Sequence, residues 1–150
     1  MNQPPQSREV DIIKEKPPIW DAVVASGMNP NEHTTLFSYG IDDLGRAVIY
    51  NPGGQFIPPD LIEHERTHCA RQGTNPDPWW ERYVNDQYFR IEEEVIAYAA
   101  QLRFIAEYRK DRNYRFVVLN RMATQLSSPT YGSVITQADA MQMIKKAAHI

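Results

Sequence analysis

The chain has 150 residues, of which 42% are hydrophobic and 23% charged, enough for one domain with a core and unlike a fibrous or wholly disordered protein. A formal net charge of -3 supplies no large positive field, so nucleic acid is not expected as a partner. Cys69 is the only cysteine, which excludes an intrachain disulfide and a zinc ribbon; no Sec-type h-region opens the chain and no run reaches membrane-spanning length.

In chain order, residues 1 to 18 hold Pro4, Pro5, Pro17 and Pro18 in a polar context with too few apolar positions for a core. They read as an extended arm ahead of a single domain over 19–150. The arm is expected to reach a protein partner or larger assembly, with Ile12, Ile13, Ile19 and Trp20 as its apolar anchors. Phe37, Tyr39 and Ile41 alternate, and Arg46 to Tyr50 resumes a strand pattern after Asp42-Asp43-Leu44-Gly45, which predicts a hairpin. Asn51-Pro52-Gly53-Gly54 ends it. Asp60 is the expected N-cap of a helix from about Leu61 to Gln72, stopped by Gly73. A short helix carrying Trp79, Trp80 and Tyr83 follows a proline-rich loop. Ile91, Val95, Tyr98, Leu102 and Ile105 then recur at helical spacing, predicting a long helix from about Gln87 to Tyr108. Asn113 to Leu126 continues helically, and Thr136 with Asp139 caps a last helix to about Ala148. The expected class is α+β, a small hairpin or sheet followed by helices.

His64-Glu65-Arg66-Thr67-His68 matches HExxH. On a helix, histidines at i and i+4 project from one face, so two imidazoles can share a divalent ion. At about 100° per residue, both fall on the side of Leu61, Ile62, Glu65 and Cys69, while Glu63, Arg66, Thr67, Ala70 and Arg71 fall opposite. Two inward imidazoles without a shared partner are costly, and a metal satisfies both. Glu92-Glu93-Glu94 offers a third ligand. Glu94 lies nearest the apolar stripe of the long helix, at about 40 to 60° from it. Glu92 and Glu93 read instead as a solvated helix start.

His64-Glu65-x-x-His68 followed by Glu94-x-x-Ala97 resembles the gluzincin branch of zinc metallopeptidases, whose third ligand is a glutamate in an ExxA or ExxS context on a second helix. The stretch from Trp79-Trp80-Glu81-Arg82-Tyr83 through Phe89-Arg90 to Glu94-Val95-x-Ala97-Tyr98 is also similar to small predicted metallopeptidases of tailed bacteriophages and prophages. The resemblance implies a minimal zincin-like domain that binds zinc through His64, His68 and Glu94. Glu65 would be the general base and a peptide or protein the substrate. Many members carry an aspartate four residues after the glutamate ligand to orient the first histidine, and here that position is Tyr98. Tyr98 is expected either to take that role through its hydroxyl or to face the cleft as an electrophile. Tyr83, Tyr88, Tyr131 and His149 are chemically able to stabilise an oxyanion but carry no positional argument. Residues 46 to 50 are expected to offer an edge for a peptide to add as a strand. The competing expectation is a structural or adaptor protein, such as a virion component, that keeps the fold without turnover. Either way the protein is expected to be soluble, in a host cytoplasm or on a virion.

Overall fold

The computed structural model describes residues 10–150, and its first element departs from the expected arm. Val10–Ile13 is a strand, β1, running parallel to β3 (Ala47–Tyr50) with Val10 opposite Ala47 and Ile13 opposite Tyr50. Val10 is buried with Ala47, Ile49, Ile57 and Cys69. The prolines and charges around this segment dominate its composition, yet four residues suffice to cover one side of β3, whose Ile49 is wholly buried. Ile19 and Trp20, also expected as anchors for a partner, pack within the domain, and Trp20 opens a short helix, α1 (Trp20–Ala25). Residues 1–9, the rest of the expected arm, lie outside the described residues.

The predicted hairpin is present, with β2 (Phe37–Ile41) antiparallel to β3. Its turn is built on Asp42, whose Oδ1 accepts from the backbone N–H of Leu44 and of Arg46, each at 2.9 Å. Strand order is β1-β3-β2. The central position of β3 corrects the expectation that residues 46 to 50 form a free edge, because both of its sides are taken by the chain's own strands.

Helix α2 (Pro59–Gln72) lies between the sheet and α4 (Gln87–Tyr108). The pairing irregularity in β2 falls between Ser38 and Ile41, where Gly40 at φ +77° approaches the end of α2. A Cβ there would lie 2.7 Å from the carbonyl oxygen of Gly73, so only glycine fits. Between α2 and α4 comes α3 (Asp77–Asn85), which stacks Trp79, Trp80 and Tyr83 against Phe37 and Val23. Asp86 caps α4 by accepting from the N–H groups of Tyr88 and Phe89 at 3.0 and 3.1 Å. Helices α5 (Arg112–Leu126) and α6 (Gln137–Ala148) pack on the far half of α4 through Leu102, Leu126 and Ile144. They are joined through a 3-10 turn at Pro129–Tyr131. Thr136 caps α6 through the N–H of Asp139, as expected. The α+β architecture holds. Among the described residues, no helix is long and apolar enough to cross a membrane.

Candidate metal centre

The inward face of α2 carries His64, Glu65 and His68, all under 9% exposed. The two imidazole rings meet edge-on, their centroids 4.9 Å apart and their planes at 78°, one helical turn separating the residues. Across from them, α4 presents Glu94. Its Oε1 lies 3.1 Å from His64 Nε2 and its Oε2 3.1 Å from His68 Nε2. These three side chains offer ligand atoms all within 4.8 Å of one another, and together they could hold a metal ion.

The hydrogen-bond chemistry around them fits a cation. Gln101, two turns beyond Glu94 on α4, places its Oε1 3.0 Å from His64 Nδ1. Its Nε2 donates to Asp60 Oδ2 at 2.7 Å. Asp60 can only accept, so the amide nitrogen must face it and the amide oxygen must face His64. Nδ1 of His64 therefore carries the proton, and a neutral ring turns the lone pair of Nε2 toward a carboxylate oxygen. Two lone pairs at that distance repel unless a proton or cation sits between them. His68 has no such orienting group: among the described residues its buried Nδ1 has no hydrogen-bond partner, and its Nε2 faces Glu94 at 3.1 Å. Burial alone would raise the Glu94 carboxyl, but charge and hydrogen bonds from His68 and His64 outweigh it and hold it well below the usual range when those rings carry a proton toward it, so this carboxylate calls for a positive charge, proton or metal, between it and the rings. Tyr83 adds a hydrogen bond to Glu94 Oε2 at 2.7 Å.

Among the described residues, no hydrogen bond of this kind holds Glu65. Its carboxylate stands 3.9 Å from His64 Nε2, and burial pushes it up to about 7, opposed by His64 and aided by Glu94. A cavity of about 420 Å³ opens onto His64, Glu65, His68 and Glu94. Tyr83 and Tyr131 also line it.

Two sequence readings change here. Tyr98 does not line the cavity; its ring packs edge-on against His64 at 4.6 Å and it shares a hydrogen bond with Tyr131. Gln101, three residues further along α4, is the side chain that bonds His64 Nδ1. Glu93, read as part of a solvated helix start, is 2% exposed. It accepts from Arg71 Nη2 at 2.8 Å and from Trp79 Nε1 at 2.7 Å, which makes its burial tolerable. Glu92 is exposed, as expected.

Three residues escaped the sequence reading. Gln101 is seven positions after Glu94, hence on the same face of the helix, which is a usable signal. Asp60 was expected as an N-cap but lies inside the first turn of α2, with Pro58 at the cap position, which frees its carboxylate for Gln101. Arg71 sits on the outer side of α2 and reaches Glu93 only through its long stem. His33 and His149 are exposed and apart from the site, and Cys69 is a buried core residue bonded to the Val48 carbonyl. No protein-family model, curated protein or solved structure matches this chain.

Proposed function

We propose that this chain is a zinc-dependent metallopeptidase-like hydrolase, with His64, His68 and Glu94 as ligands and Glu65 as general base. One observation carries the reading: two imidazole nitrogens and a carboxylate from two helices converge in a buried position, with a second, less constrained carboxylate beside them at a cavity. A set of two nitrogens and one oxygen suits zinc, which when bound in a site with an open position acidifies water and polarises a carbonyl.

The chain's own residues supply the rest. Glu65 accepts the proton of the attacking water and returns it to the amine as the peptide C–N bond breaks. Its carboxylate stands beside the proposed ligands at the cavity, which places it to serve both transfers. Gln101 and Asp60 keep His64 in the tautomer whose Nε2 can ligate. Tyr83 holds Glu94. Tyr131, which lines the cavity, is the tyrosine we assign to donate to the carbonyl oxygen as it gains charge, with Tyr98 supporting it from behind His64. A cavity reaching all four central groups favours turnover over a purely structural role.

The test is zinc content together with hydrolysis of an unfolded casein-like substrate. The purified chain should carry about one zinc ion. Glu65→Gln should keep the metal while losing about 10²- to 10⁴-fold in rate. A chain that binds no zinc when prepared without chelator, or a Glu65→Gln variant as active as the parent, defeats the proposal.

A further inference from the structure

Away from the metal centre, we propose that the corner where α4 gives way to α5 docks an acidic segment of another protein, with Arg112 and Arg121 on either side of Phe116 and Val117. The cavity at the metal centre is lined by Pro129, Thr130 and Tyr131, past the opposite end of α5. The two surfaces are therefore separate, and the inference holds with or without turnover.

Charge is the first support. From Arg103 to Arg121 six cations stand against two acids, Glu107 and Asp111, so this segment carries +4 in a chain whose net charge is -3. Asp111 is committed as the cap of α5, its Oδ1 accepting from the N–H groups of Asn113 and Tyr114 at 2.9 and 3.3 Å. Lys110 donates to the Ala106 carbonyl at 2.9 Å, and Arg109 lies over the Tyr114 ring at 3.9 Å. Among the described residues, no carboxylate pairs with Arg112, Arg115 or Arg121.

Local stability argues against this placement. Arg112 and Arg115 stand in the opening residues of α5, whose first turn holds no acid, so both lie toward the positive end of the helix dipole. Helix α6 shows the stabilising arrangement, with Asp139 in its first turn and Lys145 and Lys146 in its last. A second feature shares the face: Phe116 is 60% exposed and Val117 50%. Arg112 precedes Phe116 by four residues and Arg121 follows Val117 by four, so each cation neighbours an apolar side chain across one helical turn.

These features select the partner. Arg112 and Arg121 are about 13.5 Å apart along the helix axis, which an extended chain spans in about four residues. The fitting segment has carboxylates at that spacing and an apolar side chain between them. Guanidinium groups match carboxylates bidentately. A bilayer fits less well, because the continuous apolar face of α5, through Val118, Leu119, Met122 and Leu126, is buried and leaves only Phe116 and Val117 to insert. A nucleic acid would be repelled by the negative charge of the rest of the chain.

The test is fluorescence anisotropy of the full chain with a labelled peptide that places a leucine-phenylalanine pair between two runs of glutamate. Binding should saturate, weaken as salt rises, and fall about three- to tenfold when two serines replace the apolar pair. Arg112→Glu and Arg121→Glu should each weaken it by about three- to tenfold, and Phe116→Ser by about threefold. Lys14→Glu, the same change of charge at an exposed site just past β1, should alter it by less than about twofold. Because Arg112→Glu places an acid at the start of α5, its thermal midpoint should not fall, which separates lost binding from lost fold. No saturable binding at low salt, equal losses in Lys14→Glu and the arginine variants, or equal affinity for the two peptides overturns the inference. Tighter binding to phosphatidylserine vesicles or to an oligonucleotide than to the acidic peptide overturns the choice of partner.

Discussion

His64 Nδ1 lies 3.0 Å from Gln101 Oε1, and that one contact decides which nitrogen of His64 faces Glu94. Asp60 enforces it by claiming the amide nitrogen of Gln101 at 2.7 Å. If the site holds zinc as proposed, Gln101→Leu should weaken its binding by about 10- to 100-fold, the usual cost of losing a group that orients a ligating histidine. Asp60→Ala should act in the same direction but less, since the amide can still rotate into place. Gln101→Glu should restore affinity toward the parent. Competition against a chromophoric chelator measures all three, and equal affinities for the parent and Gln101→Leu would show that His64 needs no such partner.

Glu93 and Arg71 form a second test across the same two helices. Arg71→Ala leaves a buried carboxylate with Trp79 Nε1 as its remaining partner. Breaking a fully buried pair costs about 3–5 kcal/mol. Arg71 is 47% exposed at its side chain, so a smaller loss of about 1–3 kcal/mol is expected after allowing for solvent screening. Glu92→Ala, at an exposed position one residue away, should change stability by less than about 0.5 kcal/mol. Urea denaturation of the three proteins distinguishes these outcomes.

The contrast between Glu92, Glu93 and Glu94 shows how far the sequence could be read. Glu94 was legible because the apolar stripe of its own helix and the HExxH motif both bear on it. Glu93 was not, because Arg71 and Trp79 belong to other helices and no local period announces a partner brought by tertiary packing. The long helix, the hairpin and the Thr136 cap rest on contacts within a few residues, and they emerged nearly residue for residue. Strand β1 did not, since a parallel partner more than thirty positions away leaves no local trace in Val10–Ile13. Gln101 falls between these cases: its helical face was readable, but its bond to Asp60 depends on how α2 and α4 are set against each other.

Strand β1 leads to a truncation test. Deleting residues 1–13 removes the parallel partner of β3 and the buried Val10 side chain. Burying one valine contributes about 1.5–3 kcal/mol, so the thermal midpoint should fall by at least about 3 °C. A truncated chain that melts with the parent would return these residues to the role of a free arm.

Cys69 is wholly buried, and its Sγ lies 3.3 Å from the Val48 carbonyl between α2 and the sheet. A thiol reagent should label it only as fast as the domain opens, in spite of the neighbouring His68. Labelling should become rapid above the denaturation midpoint. Rapid labelling of the native protein would mean that α2 separates from β3 far more readily than this packing allows.

Tyr39 ties β2 to the first turn of α3, its hydroxyl donating to Asp77 Oδ1 at 2.5 Å. Burial pushes the phenol from its ordinary 10.0 up to about 12, with the hydrogen bond and negative charge of Asp77 adding to the shift. The folded state therefore holds this proton more tightly than the unfolded chain. The associated stability is fully present below pH 10 and is lost as the pH rises toward about 12. Tyr39 is partly exposed, so the effect should be modest. Comparison with Tyr39→Phe isolates the contribution of this one group. The phenylalanine variant lacks the titrating group, so any stability advantage of the parent at neutral pH should shrink across this window. Denaturant midpoints of both proteins at pH 9, 10, 11 and 12 would show it, and a difference that stays constant across that series would mean that the Tyr39–Asp77 bond does not distinguish the folded from the unfolded chain.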